Sequence, residues 1–177
     1  MIPDHLRDAA ATGAIFGLAA SVWFGWALPH SPKSWRRWLV AGLIPAYATL
    51  VTGLILTVRN WNGGTVFDAT TSPRFGIVVG VEVAIAGIGV GVLAARRRSD
   101  LVPIWIALVV GVHLFPVAVI LRYPWIHVVG ALTTGAALVA APIARRRSLA
   151  VSTVNGACVG LALLTGAVVA LVTALTW

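Results

Sequence analysis

The chain has 177 residues, 59% hydrophobic and 10% charged, with a mean hydropathy of +0.95, whereas an ordinary soluble domain is about 25% charged. That excludes a water-soluble globule, and the same apolar fraction excludes disorder. The net charge of +8 raises the question of nucleic acid, but the basic residues stand in short clusters at the ends of apolar runs, not along one stripe, so no nucleic-acid partner is expected.

A bilayer-crossing helix needs about 20 predominantly apolar residues. Six runs qualify, at residues 9–28, 38–58, 75–95, 101–121, 124–144 and 149–176. The expectation is an all-α polytopic membrane protein: one integral membrane domain over residues 1–177, built as a six-helix bundle. The joining segments are short apart from residues 59–74, so chemistry has to sit inside the bundle or at its two ends.

The first run follows Asp4 and Asp8, which suit the positive end of a helix dipole, and lacks the basic region of a cleaved signal peptide. Gly13, Gly17 and Ser21 repeat along it at four-residue spacing. The second follows Lys33, Arg36 and Arg37. Its Pro45 deprives the Ala41 carbonyl of its usual donor close to Tyr47.

The third carries Gly76, Gly80, Gly87 and Gly91, and Glu82, and ends at Arg96, Arg97 and Arg98. The fourth contains Gly-Val-His-Leu-Phe-Pro at 111–116, so Pro116 frees the Val112 carbonyl beside His113. The fifth begins after Arg122 and Tyr123, includes His127 and ends at Arg145, Arg146 and Arg147. The sixth holds Asn155, Gly156, Gly160 and the lone Cys158, which rules out an intramolecular disulfide. Ala-Arg-Arg-Arg-Ser occurs at 95–99 and again at 144–148, which overlays helices three and four on five and six; shared low complexity accounts for it equally well.

Nine of the 13 basic residues fall on one side of an alternating six-span topology. The positive-inside rule makes that side cytoplasmic in a cell-membrane protein and puts both termini outside. Trp23, Trp26, Trp35, Trp38 and Trp105 then fall near the cytoplasmic interface, and Trp61, Trp125 and Trp177 near the outer one. Trp23 and Trp26 could alternatively line a ligand cage. The glycine repeats point to close helix packing, with a homodimer through Gly-rich faces as the partner state they would also support.

Glu82 is the costly residue, since a charge deep in a span costs about 2.5 to 3.5 kcal/mol on insertion scales. Counting 1.5 Å per residue, Glu82 and His113 reach similar levels on antiparallel neighbours, and a contact between them is natural. The expected site is an outward-opening pocket between helices two to five. Glu82 and His113 act in it as the catalytic or proton-carrying pair, and Arg122, His127, Tyr47 and Trp61 contact the ligand nearer the mouth. The competing reading has Glu82 simply pinning helix three to helix four.

No metal or cofactor is expected: zinc spacing, phosphate loops and hydrolase motifs are absent, and haem between His113 and His127 is a minor alternative. Three functions fit. The first is binding and proton-coupled movement of a small solute or lipid-like molecule. The second is a membrane-embedded cyclase or isomerase with Glu82 as general acid on an isoprenoid-like substrate. The third is an accessory subunit of a membrane complex.

Overall fold

The structure is a computed structural model that describes residues 3–177. Six helices account for the bundle: α1 (Leu6–Ala27), α2 (Lys33–Arg59), α3 (Thr71–Ala95), α4 (Val102–Ile120), α5 (Trp125–Arg147) and α6 (Val151–Leu175). All six are long and apolar enough to cross a membrane. α1, α2, α3 and α5 extend past the apolar runs into the flanking polar sequence because helical hydrogen bonding does not stop where hydrophobicity does: α2 starts at Lys33 and α3 at Thr71.

Proline and left-handed caps set the boundaries. Pro103 stands in the first turn of α4 and Pro124 at the N-cap of α5, where a missing N–H costs nothing. Helices α3, α4 and α5 end on residues with positive φ, Arg97, Arg122 and Ser148. Each is followed by a backbone bond reaching back across the last turn: Arg98 N–H to Leu93, Tyr123 N–H to Ala118 and Leu149 N–H to Ala144, the Schellman closure. The two Ala-Arg-Arg-Arg-Ser strings are therefore not equivalent. The arginines of the first lie beyond the end of α3, whereas those of the second form the last turn of α5.

The core lies around α1 and α6. α1 packs on α2 and α6, while α6 packs on α1, α2, α4 and α5. Small residues make this seam close: a Cβ on Gly156 would lie 2.6 Å from the Trp23 carbonyl, and one on Gly53 of α2 would lie 2.7 Å from the Ala10 carbonyl. Trp23 belongs to this core and is buried against it, which corrects its placement in an interfacial belt. It stacks at a tilt on Trp26, with centroids 5.2 Å apart, but a buried ring cannot wall a ligand cage.

α3 is the outlier. None of its 25 residues is buried, and among the described residues its substantial helix contact is with α4. A Cβ at Gly76, Gly80, Gly87 or Gly91 would meet nothing within 4 Å, so these glycines do not serve packing inside the bundle as the sequence pattern implies.

Its N-terminal end is held by the loop after α2. The buried Asp8 carboxylate accepts the Thr65 hydroxyl at 2.7 Å and the Val66 N–H at 2.8 Å, and Arg7 covers the Trp61 ring at 3.8 Å and donates to its carbonyl at 3.0 Å. Phe67 meets Phe75 edge-on at 5.1 Å. Asp68 accepts the Thr70 and Thr71 N–H groups, each at 2.7 Å, while its own N–H donates to the Thr71 hydroxyl at 2.8 Å. This reciprocal cap starts α3.

Candidate functional site

α3 and α4 are antiparallel, joined by a tight turn, and the bulky side chains between them hold the pair apart along one flank. Their seam opens as a groove of about 420 Å³, within the usual range of about 300–1,000 Å³ for small-molecule sites. Its wall is aliphatic, from Ile77, Val78, Val81 and Ile85 on α3 and Leu108, Val109 and Val112 on α4. Glu82, His113 and Trp105 supply the polar side-chain atoms, and Pro116 completes the lining.

Helical geometry brings the ionisable pair together. α3 and α4 run antiparallel, so Glu82 and His113, at similar levels on the two helices, meet across the seam. His113 Nδ1 lies 3.2 Å from Glu82 Oε2. The angles fall outside hydrogen-bond geometry, which leaves Nδ1 buried without a partner. The Val78 backbone, one turn before Glu82 on α3, also lies within reach of the ring.

Pro116, having no N–H, leaves the Val112 carbonyl without the usual i+4 donor in the same wall. A carboxyl, an imidazole and a carbonyl short of a donor thus converge in apolar surroundings. Such a set can pass a proton or hold a hydrogen-bond donor.

The far end of the groove is closed by a contact the sequence did not reveal. Trp105 seats its indole against Gly89, where any Cβ would collide with the ring. Its N–H is shared between the Ile85 and Ala86 carbonyls at 3.2 and 3.3 Å. The available signal is an extra glycine, Gly89, inside the Gly87/Gly91 pair, facing a tryptophan across a short turn.

The other expected site residues lie elsewhere. The groove belongs to α3 and α4 alone, not to helices two to five, because α2 packs on α1 and α6. Tyr47 is exposed on α2, and Trp61 is taken up by Arg7. Arg122 pairs with Asp4 at 3.3 Å on the surface. His127 packs edge-on against Phe115, centroids 5.9 Å apart, with Nδ1 3.2 Å from the Pro124 carbonyl. His113 and Phe115 project to nearly opposite sides of α4, so the two histidines do not face one another across a haem. Among the described residues no three His, Cys, Asp or Glu side chains converge to hold a metal ion.

No protein-family model, curated protein or solved structure matches the chain.

Proposed function

We propose that this multi-pass membrane protein binds a small apolar or amphipathic molecule in the α3/α4 groove and handles a proton there through Glu82 and His113. The observation that carries the reading is the acid and imidazole, 3.2 Å apart, in an otherwise aliphatic groove. The groove is open along the flank of the bundle, so the ligand enters sideways from the lipid phase, not from water at one end. Proton-coupled movement of that molecule is the primary role. The basic clusters support an orientation with the Arg-rich end in the cytoplasm and both termini outside, in the cell membrane.

A second reading is favoured by the same lining. A carboxyl among aliphatic side chains is suited to protonate an alkene or epoxide of an isoprenoid-like substrate. One experiment separates the two: mass spectrometry of gently solubilised protein, wild type beside Glu82→Gln. The proposal expects a co-purifying small lipid-like molecule in the wild type that is depleted in the variant. The same molecule unaltered on incubation supports transport, and its conversion supports catalysis. Two folded proteins carrying only bulk lipid would overturn both.

A further inference from the structure

The groove has its polar pair part-way along, with Ile77, Val78 and Pro116 beyond it on one side and an aliphatic run ending at Trp105 on the other, and the run and its stop define a ligand class. Resting on the reading above, we propose that its ligand is a neutral long-chain alcohol, hydroxyl at Glu82 and His113, chain laid along Ile85, Leu108 and Val109, with Trp105 as the chain-length stop.

The head follows from what lines the groove. No Lys or Arg does so, so a phosphate or carboxylate head would be buried without a counter-charge, a cost borne only by paired ions. An ammonium faces the opposite difficulty. The one acid already has the His113 ring against it, and the desolvation of a cation is larger than that of a hydroxyl. What the site offers is acceptors: the Glu82 carboxyl oxygens and the Val112 carbonyl deprived of its donor by Pro116. A hydroxyl donates a hydrogen bond to either and can accept one from the protonated carboxyl.

The tail follows from the wall. Between the polar pair and the Arg-rich end every lining side chain is aliphatic until Trp105. Eight residues separate Trp105 from His113 on α4, a rise of about 12 Å. That matches roughly ten extended methylene groups at carbon–carbon bonds of about 1.5 Å. The indole closes the groove because its N–H is fixed to the Ile85 and Ala86 carbonyls of the facing helix and its ring fills the Gly89 notch. The wall is therefore rigid and sets a length.

The test uses the full-length protein in lipid nanodiscs and chain-borne diazirine probes with three heads, primary alcohol, primary amine and carboxylic acid, in a series of chain lengths. Adducts are mapped by tandem mass spectrometry. The alcohol should label groove residues most strongly at about ten carbons and be displaced by the unlabelled alcohol.

Glu82→Leu should weaken that labelling about tenfold, as loss of a polar anchor does. Trp105→Ala should move the optimum to chains a few carbons longer, while Trp105→Phe, which keeps a ring in place, should leave it near the original length. Thermal melts check that each variant is folded. No displaceable groove labelling with any head would overturn the groove as a binding site. Groove labelling strongest for the amine or the acid would leave the groove standing and overturn the alcohol. A length optimum unmoved in folded Trp105→Ala would overturn the stop.

Discussion

The α1/α6 seam and the α3/α4 seam are both antiparallel helix contacts in one small bundle, yet they are built in opposite ways. At the first, glycine and alanine let backbones approach until no Cβ could be added, as at Gly156. At the second, Val, Ile and Leu face each other, and the helices meet through a tryptophan hook and an ionisable pair. Lipid tails solvate an apolar helix as well as another helix does, so association in a membrane depends on close fit and polar links. The first seam uses fit; the second uses links, and the space that fit would have removed remains as a groove.

The sharpest way to break this contrast is to put the same side chain on both. Gly156→Leu drives carbon into the Trp23 carbonyl, backbone that cannot swing aside, and should destabilise by about 3 kcal/mol, the upper end for overpacking. Gly80→Leu meets only open space and should stay within about 0.5 kcal/mol of wild type. Unfolding in mixed micelles measures both. An equal loss at Gly80 would mean that α3 has a packing partner on its outer face.

Next in size is the tether that holds the N-terminal end of α3 to the core. Asp8→Ala removes the acceptor of the Thr65 hydroxyl and the Val66 N–H. Thr65 and Val66 are half-buried, so stranding their donors should cost about 1 kcal/mol, the lower end for an unsatisfied group. Amide exchange at Val66 should accelerate, with α6 amides unaffected. Unchanged exchange at Val66 would show that the loop is held by other contacts.

An effect of similar size is expected across the α3/α4 seam itself. A double-mutant cycle on Glu82→Gln and His113→Leu should give a coupling of about 0.6 to 1.7 kcal/mol, the range of polar links between membrane helices. A coupling near zero would make the 3.2 Å approach energetically idle and weaken any role that needs the pair to act together.

Much of this architecture was legible in the sequence because hydrophobic runs and charge clusters are one-dimensional signals. The six helices, the antiparallel α3/α4 pair and the meeting of Glu82 with His113 follow from counting residues. Lateral order does not. Which helix becomes the centre depends on which small-residue faces find each other, and four-residue glycine spacing looks the same on α1, where Gly17 is filled by α2, and on α3, where Gly80 is empty. Without that order, the sequence pattern assigns α2 a pocket it does not reach, and Tyr47 and Trp61 with it. Asp8 was legible as an acid at a helix start, but its partners sit in the loop after α2, and no local pattern links positions so far apart.

The smallest expected effect concerns the cap on α3 and isolates one seam from the other by pH. The Asp68 carboxyl is held below its ordinary 3.8 by the backbone N–H of Thr71 first, then by that of Thr70 and by the Thr71 hydroxyl. A carboxylate with a depressed folded value contributes stability that is present above its unfolded value and lost as pH falls through the folded one. The contribution is therefore intact at neutral pH and disappears only below the ordinary carboxylate range. The Thr70 and Thr71 amide shifts should titrate together below pH 3.8, and Asp68→Ala should abolish that inflection. Because Asp68 is exposed and bonds only to its own turn, the loosening should stop at the first turn of α3, with amides along α1 and α6 unchanged. A titration at or above the ordinary value would mean that the cap does not hold the start of α3, leaving the Trp105 hook and the ionisable pair to keep that helix in place.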